Sequence, residues 1–525
     1  MAEINLMQHF SYTAYTRLVL VLGFIALAVS VLHAQDNQVK NPPKRRIDLK
    51  HANEDIIERD KQTGKDWHRL RGSVDLQHNE ITLKCDSAHF FPDKNQVTSF
   101  GNIHIEQGDT LDIMGDYLFY DGASENALLT GNVELVDKET RLFTNSVQYN
   151  VRDEIALYTD YGRIINGKNT LTSKIGIYYV AENTFNFKDS VKIVNPEYIM
   201  IADTMNYNTK SETAIFEGPS EMTGDSIYLY CEKGWYDTRN NVTRIWQNAV
   251  IDNRQQIIRG DSLFYDENTG YGQSFGNVSI ADTNNKFVVA GDYAWYLKQP
   301  EQFMVTDSAL FIQISGNNDS LFMHADTISA ITVTDSSTKS YRLMRAYHDC
   351  RIFSLDLQAI CDSLSYSFQD SVIRLYKQPV LWSEENQLTS DSVAIFTKNR
   401  QADRMELYNS AFIVSQVDSL RFNQIKGRSL TGYFKDNELY RIEINGNGES
   451  IYYLVNGEEI VGINKAKCSR IEILIEEGRI KEIYEYQNPE GVIDPPSQSP
   501  QSNGFLEGYT WLDEMRPKKI EDIFR

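Results

Sequence analysis

Apolar and polar residues alternate one by one along most of this chain, and short clusters of Asp, Gly, Asn and Ser set the alternating runs apart. Within residues 129–135, Leu129, Gly131, Val133 and Leu135 fall on one face of an extended strand, while Thr130, Asn132 and Glu134 fall on the other. The cluster just upstream reads Asp121-Gly122-Ala123-Ser124-Glu125-Asn126. Period-two alternation between such clusters predicts antiparallel strands of about ten residues joined by tight turns.

The strands also repeat. Cys85-Asp86-Ser87-Ala88-His89-Phe90 returns as Gly115-Asp116-Tyr117-Leu118-Phe119-Tyr120, as Gly260-Asp261-Ser262-Leu263-Phe264-Tyr265, as Gly291-Asp292-Tyr293-Ala294-Trp295-Tyr296 and as Cys361-Asp362-Ser363-Leu364-Ser365-Tyr366. With the worn copies included, the Asp position recurs at 86, 116, 145, 174, 203, 232, 261, 292, 326, 362 and 391. Four residues after the first eight of these stands an aromatic: Phe90, Tyr120, Tyr149, Tyr178, Tyr207, Tyr236, Tyr265 and Tyr296. A second block follows about half a repeat later, in Phe100-Gly101-Asn102-Ile103, Thr130-Gly131-Asn132-Val133 and Phe275-Gly276-Asn277-Val278, with fainter echoes from Asp189 and from Gln247. Self-similarity of this period is the mark of a solenoid, in which each unit is stabilised by its neighbours.

Glycine in mid-strand marks a bulge or bend. Placed at the centre of alternate strands, it lets each strand turn a corner and serve two facing sheets. The expected fold is all-β: an elongated antiparallel β-jellyroll, or V-shaped solenoid, built from two-strand repeats of about 29 residues. The expected organisation is an export signal over 1–34, a polar linker over 35–64, well-kept repeats over 65–315, diverged repeats continuing the jellyroll over 316–486, and a Pro/Ser-rich linker with a C-terminal tail over 487–525. The signal is read from Arg17, the apolar run 18–32 and Ala34, a run too short to span a bilayer, and it places the mature chain in the periplasm.

Composition narrows the function. Lys and Arg number 52 against 73 Asp and Glu, a net charge of −21, which excludes nucleic acid and adsorption to an anionic membrane as the basis of function. The 30 Tyr, 24 Phe and only 12 Pro suit pleated strands. Five cysteines, an odd number without metal-ligand spacing, read as small buried packers, although Cys350 and Cys361 could meet across a turn. No nucleophile elbow, zinc-protease helix, P-loop or EF-hand loop occurs, so no enzymatic activity, cofactor or metal is expected. His68, His78, His89 and His104 read as structural or solvated. The recurring Asp carries one carboxylate per repeat, too sparse for a calcium ladder, and is expected to bond local backbone N–H groups at the bend. The tyrosine column is either a packed ladder that fixes register or, in part, the lining of an apolar groove.

The alternation of Gly-Asp-x-Leu-x-Tyr with Gly-Asn-Val, behind a signal peptide, resembles the OstA/LptA-like family of periplasmic lipopolysaccharide-transport proteins, related to the N-terminal domain of LptD. The likeness is good over about 65–310 and weak over 320–480. It implies a jellyroll whose hydrophobic inner face shields lipid A acyl chains, stacked end to end with other transport components into a bridge toward an outer-membrane translocon. The chain is longer than a typical LptA and has no room after its repeats for the barrel of an LptD. Under that resemblance the inward, lipid-binding candidates are Leu118, Tyr120, Val133, Leu135, Val147, Tyr149, Leu263, Tyr265, Val278 and Ile280. A register slip of one residue would turn the whole set outward. The competing expectation is a structural or adhesin-like β-solenoid with a filled core and no lipid ligand.

Overall fold

The structure is a computed structural model that describes residues 46–525 except 110, 226, 255, 285, 315–319, 335–339, 399–400, 436–437, 458, 477–478 and 496–503. The export signal expected over 1–34 lies outside the described residues. No helix among the described residues is long and apolar enough to cross a membrane.

The chain is all-β, with 34 strands in one continuous antiparallel sheet. Its only helical pieces among the described residues are short 3-10 turns at Asp513–Met515 and Ile520–Phe524. The strand Gln96–Gln107 shows how the sheet becomes a V. Residues 96–100 pair with 87–91, residues 103–107 pair with 81–84, and the register breaks between Phe100 and Ile103. At the break Gly101 and Asn102 are both left-handed, with φ of +72° and +44°. Two successive left-handed residues swing the strand round a corner while keeping its parity, so Val97 and Ser99 before the corner and Ile103 and Ile105 after it all face the same interior. Glycine suits the first of these positions twice over. At Gly131 φ is +79°, and an added Cβ would stand 2.7 Å from Asp116 Oδ2.

The same paired left-handed corner recurs at Gly276–Asn277 and Gly446–Asn447 and, without glycine, at Asp189–Ser190, Gln247–Asn248, Asp307–Ser308 and Asn409–Ser410. Each intervening strand changes parity as it rounds the bend: Leu111, Ile113 and Gly115 face inward before it, Leu118 and Tyr120 after it. The jellyroll therefore continues through the diverged half with its corners in place. The pitch is held by the four-residue turns, which stack one on the next. Gly122 N donates to Asn95 O at 2.8 Å, Val151 N to Glu125 O at 2.9 Å and Val180 N to Glu154 O at 3.0 Å, and the series runs on through Thr209, Thr238 and Glu267.

Two features depart from expectation. Within the supposed linker 35–64, the strands Asp48–His51 and Glu54–Arg59 pair with the two arms of Asp66–His78. An edge strand held by ladder hydrogen bonds needs no apolar face; Ile56 and Ile57 are exposed, so alternation gave no signal there. The tail beyond 503 is also ordered, and it lies along the outer face of one arm. Gln424 Oε1 accepts from Leu506 N at 2.9 Å, Gln387 grips Thr510 O at 2.8 Å and Leu512 N at 2.7 Å, and Gln358 Oε1 accepts from Arg516 Nε at 2.8 Å. Trp511 packs on Phe422 with ring centroids 5.0 Å apart, and Phe524 reaches His324. Beneath the tail the strands bury both faces, as in the runs Val380-Leu381-Trp382 and Ala411-Phe412-Ile413-Val414.

Candidate functional site: the inner trough and its mouth

All ten sequence candidates face the interior. Leu118, Tyr120, Val133, Leu135, Val147, Tyr149, Leu263, Val278 and Ile280 are buried, and Tyr265 is half-buried. They line both arms of the V together with Leu76, Ile113, Leu129 and Leu142.

The mouth of the V, where the tips of the two arms approach, is bridged by the tyrosine column. Tyr120 stands at the tip of one arm and shares a 2.6 Å hydrogen bond with His78 Nδ1 at the tip of the other. Tyr149 donates to Gln107 Oε1 at 2.7 Å, Tyr178 to Asp137 Oδ2 at 2.5 Å, and Tyr207 to Asn166 Oδ1 at 3.2 Å. Each hydroxyl thus reaches back 41 or 42 residues. Burial raises all four phenol pKa values; at Tyr178 the Asp137 carboxylate adds to the rise by accepting the phenolic proton in a hydrogen bond. These tyrosines therefore do more than fix register: they close the mouth. The polar partners were not singled out from the sequence, yet a signal exists. His78, Gln107, Asp137 and Asn166 recur at steps of 29, 30 and 29 and break an otherwise apolar inward face.

Inside the closed stretch the trough is filled by aromatics. Tyr178 stacks on Phe185 at 4.0 Å, Phe185 on Phe187 at 5.3 Å, and Tyr158 bonds Ser173 at 2.6 Å in the space left by Gly162 and Gly176. At the first end a cavity of about 20 Å³, room for about one water, is lined by Ile47, Leu76, Ile81, Leu83, Leu118 and Tyr120.

The recurring Asp sits outside, on the corner ridge, and its partner differs from the expected backbone N–H. Asp86 Oδ2 accepts from Asn102 Nδ2 at 2.8 Å, Asp116 Oδ2 from Asn132 Nδ2 at 2.7 Å, and Asp261 from Asn277 at 3.0 Å; Glu232 does the same for Asn248 at 2.6 Å. The corner asparagine is left-handed, and this geometry sends its amide across the strand, so the carboxylate meets a side chain first.

Of the early histidines, His78 belongs to the mouth, His68 pairs with Asp55 at 2.9 Å, and His89 packs between Trp67 and Phe100. His104 lies with Glu106 and Asp112 close enough for joint ligation, but its Nε2 already meets Asp112 at 2.7 Å and Lys84 places its ammonium 3.0 Å from Glu106. The five cysteines are buried and free, with Cys350 directly opposite Cys361 in register.

Residues 44–204 match a family model described as OstA-like protein. This stretch of the chain is OstA-like. The OstA-like stretch holds all four bridged tyrosine pairs except the hydroxyl of Tyr207, which lies just past its end. Among solved structures, LptH of Pseudomonas aeruginosa, described as the LptA homologous periplasmic component of the conserved lipopolysaccharide transport device, is 15% identical, with 26% of this chain and 79% of that chain covered and a TM-score of 0.14. At that score the superposition carries no argument. No curated protein matches.

Proposed function

We propose that the protein is a lipopolysaccharide-transport β-jellyroll of the periplasm, which shelters acyl chains against its inner face while the sugars stay in water. The observation that carries this reading is the inward face itself: an apolar lining on both arms, running from the OstA-like stretch into the repeats beyond it. Its partners would be lipopolysaccharide, neighbouring transport components paired through the end strands, and an outer-membrane translocon. The reading invokes no chemistry on the ligand and no cofactor. The exterior, at a net charge of −21, would not draw an anionic head group, so binding would be led by the chains.

Magnitudes permit it even where the mouth is closed. Breaking one buried tyrosine hydrogen bond costs about 1–3 kcal/mol. Sheltering a methylene returns about 0.8 kcal/mol, so some four methylenes offset one opened pair.

A second reading, a structural or adhesin-like solenoid with no lipid ligand, is favoured by the filled interior around Tyr158, Tyr178, Phe185 and Phe187. Photo-crosslinking separates the two. A reactive residue at Leu118 or Val133 should yield a lipopolysaccharide adduct that is absent with the probe at Asn132, on the outer side. A folded protein with no adduct at any of the three sites would leave the lipid-free solenoid.

A further inference from the structure

The bridged mouth does not run the length of the molecule, and it ends for reasons visible in the residues. After Tyr207 the next tyrosine, Tyr236, turns its hydroxyl to Asn241 Oδ1 of its own turn, 3.2 Å away. The residue 41 before it, Asn195, is engaged elsewhere: its amide donates to Asn169 Oδ1 at 2.7 Å and its carbonyl oxygen accepts from Glu197 N at 3.0 Å. For Tyr265 the equivalent position is Gly224, which has no side chain to offer. Tyr265 and Tyr296 are half-buried, and among the described residues neither hydroxyl bonds across the mouth. The buried exposures follow the same course: Tyr149, Tyr178 and Tyr207 are 1%, 1% and 0% exposed, Tyr236 is 7%.

The apolar lining continues past this point. Leu263, Val278, Ile280 and Val289 are buried on the inner face of strands Gln256–Asp266, Tyr271–Asp282 and Phe287–Lys298. The molecule therefore pairs a hydrogen-bonded mouth over 120–207 with an unbridged mouth over the same kind of lining beyond it.

We infer that the tyrosine pairs are a latch and that the unlatched section from Tyr236 to Tyr296 is the lateral entry site for the acyl chains of an amphiphile. The inference rests on the acyl-sheltering reading above and adds the point of entry to it. Chains insert first against Leu263, Val278 and Ile280, and they advance toward Leu135 and Leu118 only by parting the latch one tyrosine at a time.

Two matched positions test it. Leu135 and Ile280 each stand four residues after the glycine of a Gly-Asn corner, the first beneath the latch and the second outside it. The full chain carrying a photo-reactive residue at one or the other is mixed with purified lipopolysaccharide and irradiated over a time course. The expected result is an adduct at Ile280 at least tenfold ahead of Leu135 at early times. In a Tyr149→Phe, Tyr178→Phe, Tyr207→Phe background, the Leu135 adduct should rise severalfold while Ile280 stays as it was. Equal labelling of the two sites in the unaltered background from the first time point overturns the latch and leaves acyl sheltering standing. Labelling at neither site, with the fold intact by circular dichroism, overturns acyl sheltering and the entry site with it. The comparison in the unaltered background decides the matter if the triple variant does not fold.

Discussion

Asn132 Nδ2 donates to Asp116 Oδ2 across 2.7 Å, and the bond fastens the corner of one strand to the strand before it. Asn132 can do this only because its φ is +45°, a conformation bought by the neighbouring Gly131 at +79°. The corner is thus a three-residue device, and it repeats along the ridge.

Its parts should be separable by mutation. Asn132→Ala, which removes an exposed bond to a carboxylate, is expected to cost about 1 kcal/mol. Gly131→Ala should cost roughly 2–3 kcal/mol, because it adds left-handed strain to a Cβ contact with Asp116. At a corner that lacks glycine the sign reverses: Gln247→Gly, at φ +61°, should stabilise by about 1 kcal/mol. Urea unfolding of the three variants reads all of these; a Gln247→Gly midpoint below that of the parent would contradict the strain argument.

The bridged tyrosines should differ among themselves. Tyr149→Phe leaves Gln107 to find another partner at the end of its strand and should cost about 1 kcal/mol. Tyr178→Phe takes the donor from Asp137, which is 3% exposed and whose nearest cation, Lys138, lies 4.0 Å away. A buried carboxylate stripped of its hydrogen bond should raise the cost to about 3 kcal/mol. Thermal melts of the two single variants would show Tyr178→Phe as clearly the less stable.

His89 gives the fold a pH dependence with a definite sign. Burial against Trp67 and Phe100, and then the Arg69 guanidinium, lower its pKa below the usual 6.5. The folded state therefore favours the neutral ring, while the unfolded chain takes up a proton near pH 6.5. Its contribution is present above pH 6.5 and is lost as pH falls through that value toward the folded pKa. Unfolding midpoints at pH 7.5 and 5.5 should fall less in His89→Gln than in the parent, and a ring titration by NMR should place His89 below 6.5.

The tail should behave as part of the fold. Trp511→Ala is expected to cost about 2 kcal/mol, since it strips a half-buried indole from Phe422. Deleting 504–525 bares Phe412, Val414 and Phe422 on the outer face of a sheet, a contiguous apolar patch. Light scattering of the truncated chain should show self-association that the full chain does not.

The sequence determined the repeat, the bent strands and the inward register, because each rests on local rules. Side chains alternate at period two, and a Gly-Asn pair takes the left-handed corner whatever lies around it. The ten inward candidates followed from that register, including its shift of parity at the Asp position. Even the loss of alternation over 380–382 and 411–414 was legible as burial on two faces. Only the tertiary structure decided what covers the second face, what the tyrosine hydroxyls bond, and where the mouth is left unbridged. Those contacts join residues 41 or more apart, across a mouth or along the solenoid axis. Their existence depends on how two arms and a tail meet in space, which no alternation within a single strand encodes.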